Sequence, residues 1–346
     1  MKSFLQKNQS RIGIVAPSSR VPQAEFKLGL EKIRAAGFAP LVHPQCKDAH
    51  WFFAGTDETR ANAFFEYACR DDLDVIWSAR GGYGSIRMLP ILERLALEKG
   101  IPPRKLLAGY SDSTALAEFV RTRWGWSTLH CSMPGLRQFV LLPEKDFRSS
   151  IDFIEKKIPR EPWGRTKLKI IGRAPSCLEG EIVGGNLTVW TSMLGTPYAG
   201  NLRGKIAFFE DVDESLYRLD RMVQQLLFSG TCEGAKAIVL GNFLNCRDGV
   251  VNALKKVPHG KSMARIIANP KPSELASSRK KLNEEKLIPE IFAQLAEKNG
   301  IPIYYSLPVG HGPAKAPLPL GGHYRISASG QFELVSWNWL SPPSRE

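Results

Sequence analysis

The chain has 346 residues, 43% of them hydrophobic and 23% charged, with a formal net charge of +13. At roughly 150 residues per domain this length points to two domains. No apolar run reaches the roughly 18 residues of a membrane span, and the charged N-terminal stretch has no apolar core behind it, so we expect neither a spanning helix nor a secretory signal and place the protein in the cytoplasm. The six cysteines, Cys46, Cys69, Cys131, Cys177, Cys232 and Cys246, form no C-x-x-C pair, which argues against a zinc site and against a disulfide framework. Nearly half of the positive excess lies between Lys255 and Lys286, where nine Lys/Arg face three Glu. Pro258, Gly260, Pro270, Pro272 and Ser277-Ser278 give that stretch the composition of an exposed insertion, spanning about 247–287. It lacks the interleaved aromatics that stack bases, so no nucleic-acid partner is expected.

In chain order, Arg11-Ile12-Gly13-Ile14-Val15-Ala16 reads as a short buried strand, and Pro22 to Ala36 as a helix closed by Gly37. Ala39 to His43 is a second strand and Thr56 to Arg70 a helix. Asp74 to Ala79 is a third strand, running into Arg80-Gly81-Gly82-Tyr83-Gly84-Ser85. Strands alternating with helices predict a doubly wound parallel sheet, with functional loops at the carboxyl ends of its strands. The glycine loop fits neither G-x-G-x-x-G nor a P-loop, which disfavours a nucleotide site. Its amides would serve an oxyanion hole or form a plain tight turn.

Lys105 to Ala108 is the next strand. It stops at Gly109-Tyr110 and gives way to a helical pattern from Ala115 to Trp124, which sets Ser111 on a strand-to-helix turn. That placement resembles a nucleophile elbow in part, with Gly109 before the serine and Ser113 where the commoner elbow carries a second glycine. The competing reading is that Ser111, Asp112 or Ser113 merely caps the helix.

Past Phe147 the pattern fades into a charged helix and the Pro-rich stretch Ile158 to Gly164. We take 148–167 as a linker between an N-terminal domain, 1–147, and a C-terminal α/β domain, 168–346. In the second domain, Leu178 to Leu187 leads through Gly184-Gly185-Asn186 into a helix ending near Leu194. Lys205 to Phe209 is a buried strand ending on Glu210-Asp211-Val212-Asp213-Glu214. These carboxylates are either a solvated acidic turn or part of a site. Tyr217 to Phe228 and Ile288 to Asn299 read as helices, Ala235 to Gly241 and Ile301 to Tyr304 as strands, and Tyr324 to Trp339 as closing strands. His311 lies between two glycines in a loop after a strand, either as a base or as a structural histidine.

Ser111, Glu210 and His311 supply a nucleophile, an acid and a base in that order, the set that acyl transfer requires. The same loops carry seven motifs: Gly13-Ile14-Val15-Ala16-Pro17-Ser18, Arg80-Gly81-Gly82-Tyr83-Gly84, Gly109-Tyr110-Ser111-Asp112, Gly184-Gly185-Asn186-Leu187, Phe209-Glu210-Asp211-Val212, Tyr217-Arg218-Leu219-Asp220-Arg221 and Gly310-His311-Gly312. In this order, from Arg11 to about Arg325, the chain resembles the LD-carboxypeptidase and microcin-immunity family of serine peptidases. The resemblance implies a Ser111-Glu210-His311 triad. The N-terminal domain would give the serine and the C-terminal α/β domain the other two. It also implies hydrolysis of the bond to the terminal D-alanine of murein tetrapeptide in cell-wall recycling, with no metal or cofactor. The chain departs from the family at His130-Cys131-Ser132-Met133-Pro134, where members often show His-Gly-Pro, and in the basic insertion after Cys246.

Three functions are weighed on this basis: the carboxypeptidase, an amidase that disarms peptide–nucleotide antibiotics, and a catalytically silent binding protein for cell-wall peptides. Trp190 could stack a purine in the second, and His130 would border the substrate in the first two. Arg80 is expected to read the substrate's free terminal carboxylate through charge-assisted hydrogen bonds. The amides of Gly82 and Asp112 are expected to hold the oxyanion. The expected partners are a murein peptide and a second copy of the chain in a homodimer, with no nucleic acid and no membrane.

Overall fold

The computed structural model describes residues 10–164, 166–173, 175–247, 287–313 and 315–341. The expected basic insertion therefore lies almost wholly outside the described residues. Two sheets organise the chain. The first has the order β11-β5-β4-β3-β1-β2, built from β1 (Ile12–Val15), β2 (Leu41–Val42), β3 (Val75–Ser78), β4 (Leu106–Ala108), β5 (Ser127–His130) and β11 (Leu318–Leu320). Its first five strands are parallel. The central strands Ile-Gly-Ile-Val, Val-Ile-Trp-Ser and Leu-Leu-Ala are buried at every position. Continuous apolar runs of this kind are what a parallel sheet covered on both faces demands. The strand order 2-1-3-4-5 is the doubly wound arrangement, and it gathers the loops after β1, β3 and β4 at one edge.

The covering helices include α1 (Gln23–Ala35), α2 (Asp57–Cys69), α3 (Ser85–Lys99) and α4 (Ser113–Arg123). Thr56 starts α2 by accepting from the Thr59 amide at 3.1 Å. After β5 come α5 (Arg137–Val140) and α6 (Glu144–Ile154). Helix α6 runs across the boundary expected at residue 147, so the segment taken as a linker opens inside a helix whose Phe147, Ile151 and Phe153 are core residues.

The second sheet has the order β13-β12-β7-β8-β9-β10-β6. Its parallel centre is β7 (Cys177–Asn186), β8 (Ile206–Val212), β9 (Ala237–Leu244) and β10 (Ile303–Tyr305), flanked by β6 (Lys169–Ile171), β12 (His323–Ser327) and β13 (Phe332–Ser336) in antiparallel pairing. Helices α7 (Leu187–Ser192), α8 (Leu216–Phe228) and α9 (Leu287–Asn299) belong to this half.

The halves are joined intimately. Strand β11, from the C-terminal half, pairs antiparallel with β5, Leu318 opposite His130, so the first sheet borrows its last strand from beyond residue 168. The segment bearing His311 is thus fastened in one sheet by β10 and in the other by β11. One hydrophobic cluster also runs through both halves, including Leu107, Leu116, Leu187, Phe209 and Leu240. At the seam the Asn186 amide donates to Thr114 Oγ1 at 3.0 Å, and Arg121 of α4 pairs with Glu118 at 2.7 Å and with Glu181 of β7 at 2.9 Å. No helix among the described residues is long and apolar enough to cross a membrane.

Candidate active site

Ser111 stands on the turn between β4 and α4 with a φ of 60°, a conformation that costs a non-glycine residue energy and clusters at functional positions. The surroundings over-determine it. Gly81 packs so closely that a Cβ built on it would lie 3.2 Å from Ser111 Oγ. Asp112 is buried, and its Oδ2 accepts from Ser18 Oγ at 2.6 Å and from the Ser85 amide at 2.8 Å, tying together the ends of β1, β3 and β4. Capping does not explain the turn, because α4 opens at Ser113 with Asp112 at its N-cap and no side-chain cap hydrogen bond. Among the described residues the Ser111 hydroxyl has no hydrogen-bond partner.

Glu210 sits within β8, not beyond it as the sequence reading has it. The strand continues to Val212 past a register shift between Phe209 and Asp211, and both carboxylates are buried rather than solvated. The neighbouring chemistry makes this tolerable. Asp211 Oδ2 accepts from the amide and hydroxyl of Thr188 at 2.9 and 2.8 Å, and its Oδ1 accepts from Asn186 Nδ2 at 2.9 Å. Burial, with the Glu210 charge added, raises the Asp211 carboxyl to about 6. Asn186 also starts α7, its Oδ1 accepting from the Val189 amide at 3.1 Å.

Glu210 Oε2 accepts twice from His311, from the backbone amide at 3.1 Å and from Nδ1 at 2.7 Å. An ionised carboxylate only accepts, so Nδ1 carries the proton and Nε2 is left as the basic nitrogen. Burial pushes the Glu210 carboxyl upward, but the His311 charge and hydrogen bonds outweigh it and hold the net value below the ordinary 4.5. Burial lowers His311 in turn, and the Glu210 charge reverses this and leaves the imidazole above its ordinary 6.5. The ring lies against Tyr110 at a centroid distance of 4.5 Å, which brings the imidazole beside the turn that carries Ser111. Lys315 Nζ donates to the carbonyls of His311, at 3.1 Å, and Gly312, closing the histidine loop from behind. No sequence signal marks Lys315; Asn186 and Gly310, by contrast, lie inside recognised motifs.

The remaining expected residues are distributed unevenly. Gly82 adopts φ 101°, and a Cβ there would meet Ser19 Oγ, whose oxygen accepts from the Tyr83 amide at 3.1 Å. Arg80 Nη1 donates to the Arg20 carbonyl, and its side chain lines a cleft of about 530 Å³ with Ser19, Arg20, Trp51 and Phe52. Two expectations need correction. Trp190 is 1% exposed and packs on Phe209 with ring centroids 6.1 Å apart, so it fills the core and has no face to offer a purine. His130 is buried between Tyr110 and Phe208, with Nε2 at 3.9 Å from Glu210 Oε1, and at 3% exposure it has no open face for a substrate. Burial lowers its imidazole to about 4, so it is neutral near pH 7.

Comparison with known proteins shows the family. The family model of the LD-carboxypeptidase N-terminal domain matches residues 12–131 and that of the C-terminal domain residues 179–326. The chain belongs to the LD-carboxypeptidase family. A Streptomyces coelicolor protein carrying a carboxypeptidase name is 36% identical over 243 residues, 68% of this LD-carboxypeptidase family chain and 76% of its own. The murein tetrapeptide carboxypeptidase of Pseudomonas aeruginosa is 28% identical over 90% of this chain and 91% of its own. The microcin C7 self-immunity protein MccF of Escherichia coli is 27% identical over 65% of this chain and 72% of its own. Among solved structures, the muramoyltetrapeptide carboxypeptidase from Oxalobacter formigenes shares the fold with a TM-score of 0.68 at 24% identity, covering 93% of this chain and 97% of that one.

Proposed function

We propose that this family member is a serine-type LD-carboxypeptidase that removes the terminal D-alanine from murein tetrapeptide. The observation that carries the reading is the buried Glu210–His311 pair, 2.7 Å apart, set beside a serine held at φ 60°. In this mechanism Ser111 Oγ attacks the carbonyl carbon of the scissile bond while His311 Nε2 takes its proton. The oxyanion is held by the amides of Gly82 and Asp112. His311 then passes the proton to the departing amine of D-alanine. Water, deprotonated by the same imidazole, cleaves the acyl-enzyme and regenerates the hydroxyl. Glu210 keeps the proton-bearing nitrogen turned inward and stabilises the imidazolium. The likeness to the Pseudomonas aeruginosa enzyme named for this activity supports the substrate class. A homodimer acting in the cytoplasm belongs to the same reading.

The deciding experiment is mass spectrometry of purified protein incubated with murein tetrapeptide. The expected product has lost one alanine, and unchanged peptide after prolonged incubation with folded protein rejects the reading. The likeness to MccF supports a second reading, cleavage of an amide in a peptide–nucleotide conjugate, and the same assay run on such a conjugate separates the two. A silent binding protein would leave both compounds intact while still retaining them.

A further inference from the structure

The loop that carries His311 is short of hydrogen-bond donors. Pro313 and Pro317 have no amide N–H to give, and Gly312 has no side chain. Among the described residues no backbone amide reaches the carbonyls of His311 or Gly312, and both accept instead from Lys315 Nζ, that of His311 at 3.1 Å. Lys315 is itself held. Its amide donates to Asp146 Oδ2 at 3.0 Å, and Asp146, buried in the first turn of α6, ties it to the N-terminal half. Most lysines extend into water, whereas this one is turned inward and partly buried. An ammonium taken out of water is costly unless it meets acceptors, and here it meets two carbonyls. Burial lowers its value from the ordinary 10.5, and the charges of Glu210 and Asp146 oppose that.

The backbone of His311 is consequently fixed on both sides, its amide by Glu210 Oε2 at 3.1 Å and its carbonyl by Lys315. Only the side-chain torsions remain, and the 2.7 Å bond from Nδ1 to the same Oε2 sets those. Around the ring stand Glu210 and Asp211 from β8, His130 from β5, Tyr110 before the nucleophile turn, and Lys315 from the far end of its own loop. From this we infer that Lys315 is a positioning residue for the proposed acyl transfer, clamping the two carbonyls at the histidine so that the imidazole keeps one pose on Glu210. This role rests on the Ser111–Glu210–His311 reading above. The lysine charge has a second effect. Burial and the Lys315 cation both lower the imidazole, against the Glu210 and Asp211 charges that leave it above its ordinary 6.5. Lys315 thereby extends the range over which the ring is neutral and able to accept a proton.

The test is the pH profile of murein tetrapeptide cleavage by the wild-type, Lys315→Met and Lys315→Arg proteins. Lys315→Met keeps the length of the side chain and removes the donors and the charge. Its kcat should fall by about tenfold or more, as a small displacement of a reacting group produces, and the midpoint of its kcat/KM profile should move to higher pH. Lys315→Arg should bring the midpoint back and restore most of the rate. A Lys315→Met protein with the wild-type midpoint or the wild-type kcat overturns the inference even where its melting temperature has dropped, because a merely structural lysine would lower stability alone. If Lys315→Met does not fold, Lys315→Gln, which keeps a donor and drops the charge, should show the same upward midpoint. If the wild type leaves the tetrapeptide intact, the functional reading fails separately. NMR titration of the His311 ring protons then decides the role of Lys315, with a midpoint that rises in Lys315→Met and returns in Lys315→Arg, and an unmoved midpoint rejects it.

Discussion

Gly310 lies so close to the Glu210 carboxylate that a Cβ built on it would stand 2.6 Å from Oε2, the atom that accepts both hydrogen bonds from His311. With its φ at 108°, Gly310 lets the chain fold its next amide and imidazole onto one buried oxygen. Gly310→Ala should therefore displace the acid–base pair and strain the loop. We expect at least about 100-fold lower kcat, as small misplacements of reacting groups produce. Stability should fall by about 2 kcal/mol, from the positive φ and the clash together. Activity assays and thermal melts check this; a Gly310→Ala protein with wild-type kcat would show that the pair does not act in catalysis.

Ser111→Ala removes the attacking oxygen while leaving β4, α4 and the Asp112 tie in place. Turnover should drop by about 10⁴-fold or more, with the circular dichroism spectrum unchanged. Retention of a tenth of the activity would assign the nucleophile elsewhere.

The pH profile follows from the Glu210–His311 pair. The imidazole must be neutral to accept the Ser111 proton, and its value is raised above the ordinary 6.5, so kcat/KM should rise with pH through a midpoint above 6.5. Glu210→Gln removes the charge that raises it and leaves burial, which lowers it, so the acid limb should move to lower pH as the maximal rate falls. Stability runs the other way. The raised His311 contribution is complete below 6.5 and is lost as pH rises through the folded value, while that of Glu210 is present above its ordinary 4.5 and is lost as pH falls through its lower folded value. The pair is thus most stabilising at a pH below that of best activity. Superimposable pH–rate profiles for wild type and Glu210→Gln would remove Glu210 from the triad.

His130 gives a separate acid signature. Its folded value near 4 lies below the ordinary 6.5, so between these the unfolded chain takes up a proton that the folded protein refuses. Against a His130→Phe variant, wild type should lose up to roughly 3 kcal/mol of stability as pH falls from 6.5 to 4. Parallel urea midpoints for the two proteins across that range would show that His130 stays accessible to protons.

The sequence exposes those parts of this protein that depend on local pattern. Ser111 is legible because an apolar triplet, a glycine and a helical period leave one place for a strand-to-helix turn. His311 is legible because flanking glycines give it no apolar face to fill. What escapes is set by partners distant in the chain. Glu210 can stay inside a strand only because Asn186 and Thr188 satisfy Asp211 beside it, and no feature of residues 205–214 announces that. Trp190, near the Gly185-Asn186 turn, and His130, at a motif of the family resemblance, read as ligand contacts, yet Phe209 and Phe208 bury them. Strand β11 is three residues with a central proline, and only its pairing with β5 makes it a strand.

That pairing has a consequence for cooperativity. The chain leaves one sheet at Tyr305 and enters the other at Leu318, with His311 between these two anchors. Neither sheet can come apart without pulling His311 away from Ser111, and the first sheet is incomplete without a strand from the C-terminal half. Such a molecule should melt as one unit, with calorimetric and van't Hoff enthalpies equal. Residues 1–147 made alone should expose the open edge of β5 and aggregate. If Ser111 and His311 act as proposed, folding itself sets their separation, and substrate need not close a hinge to bring them together.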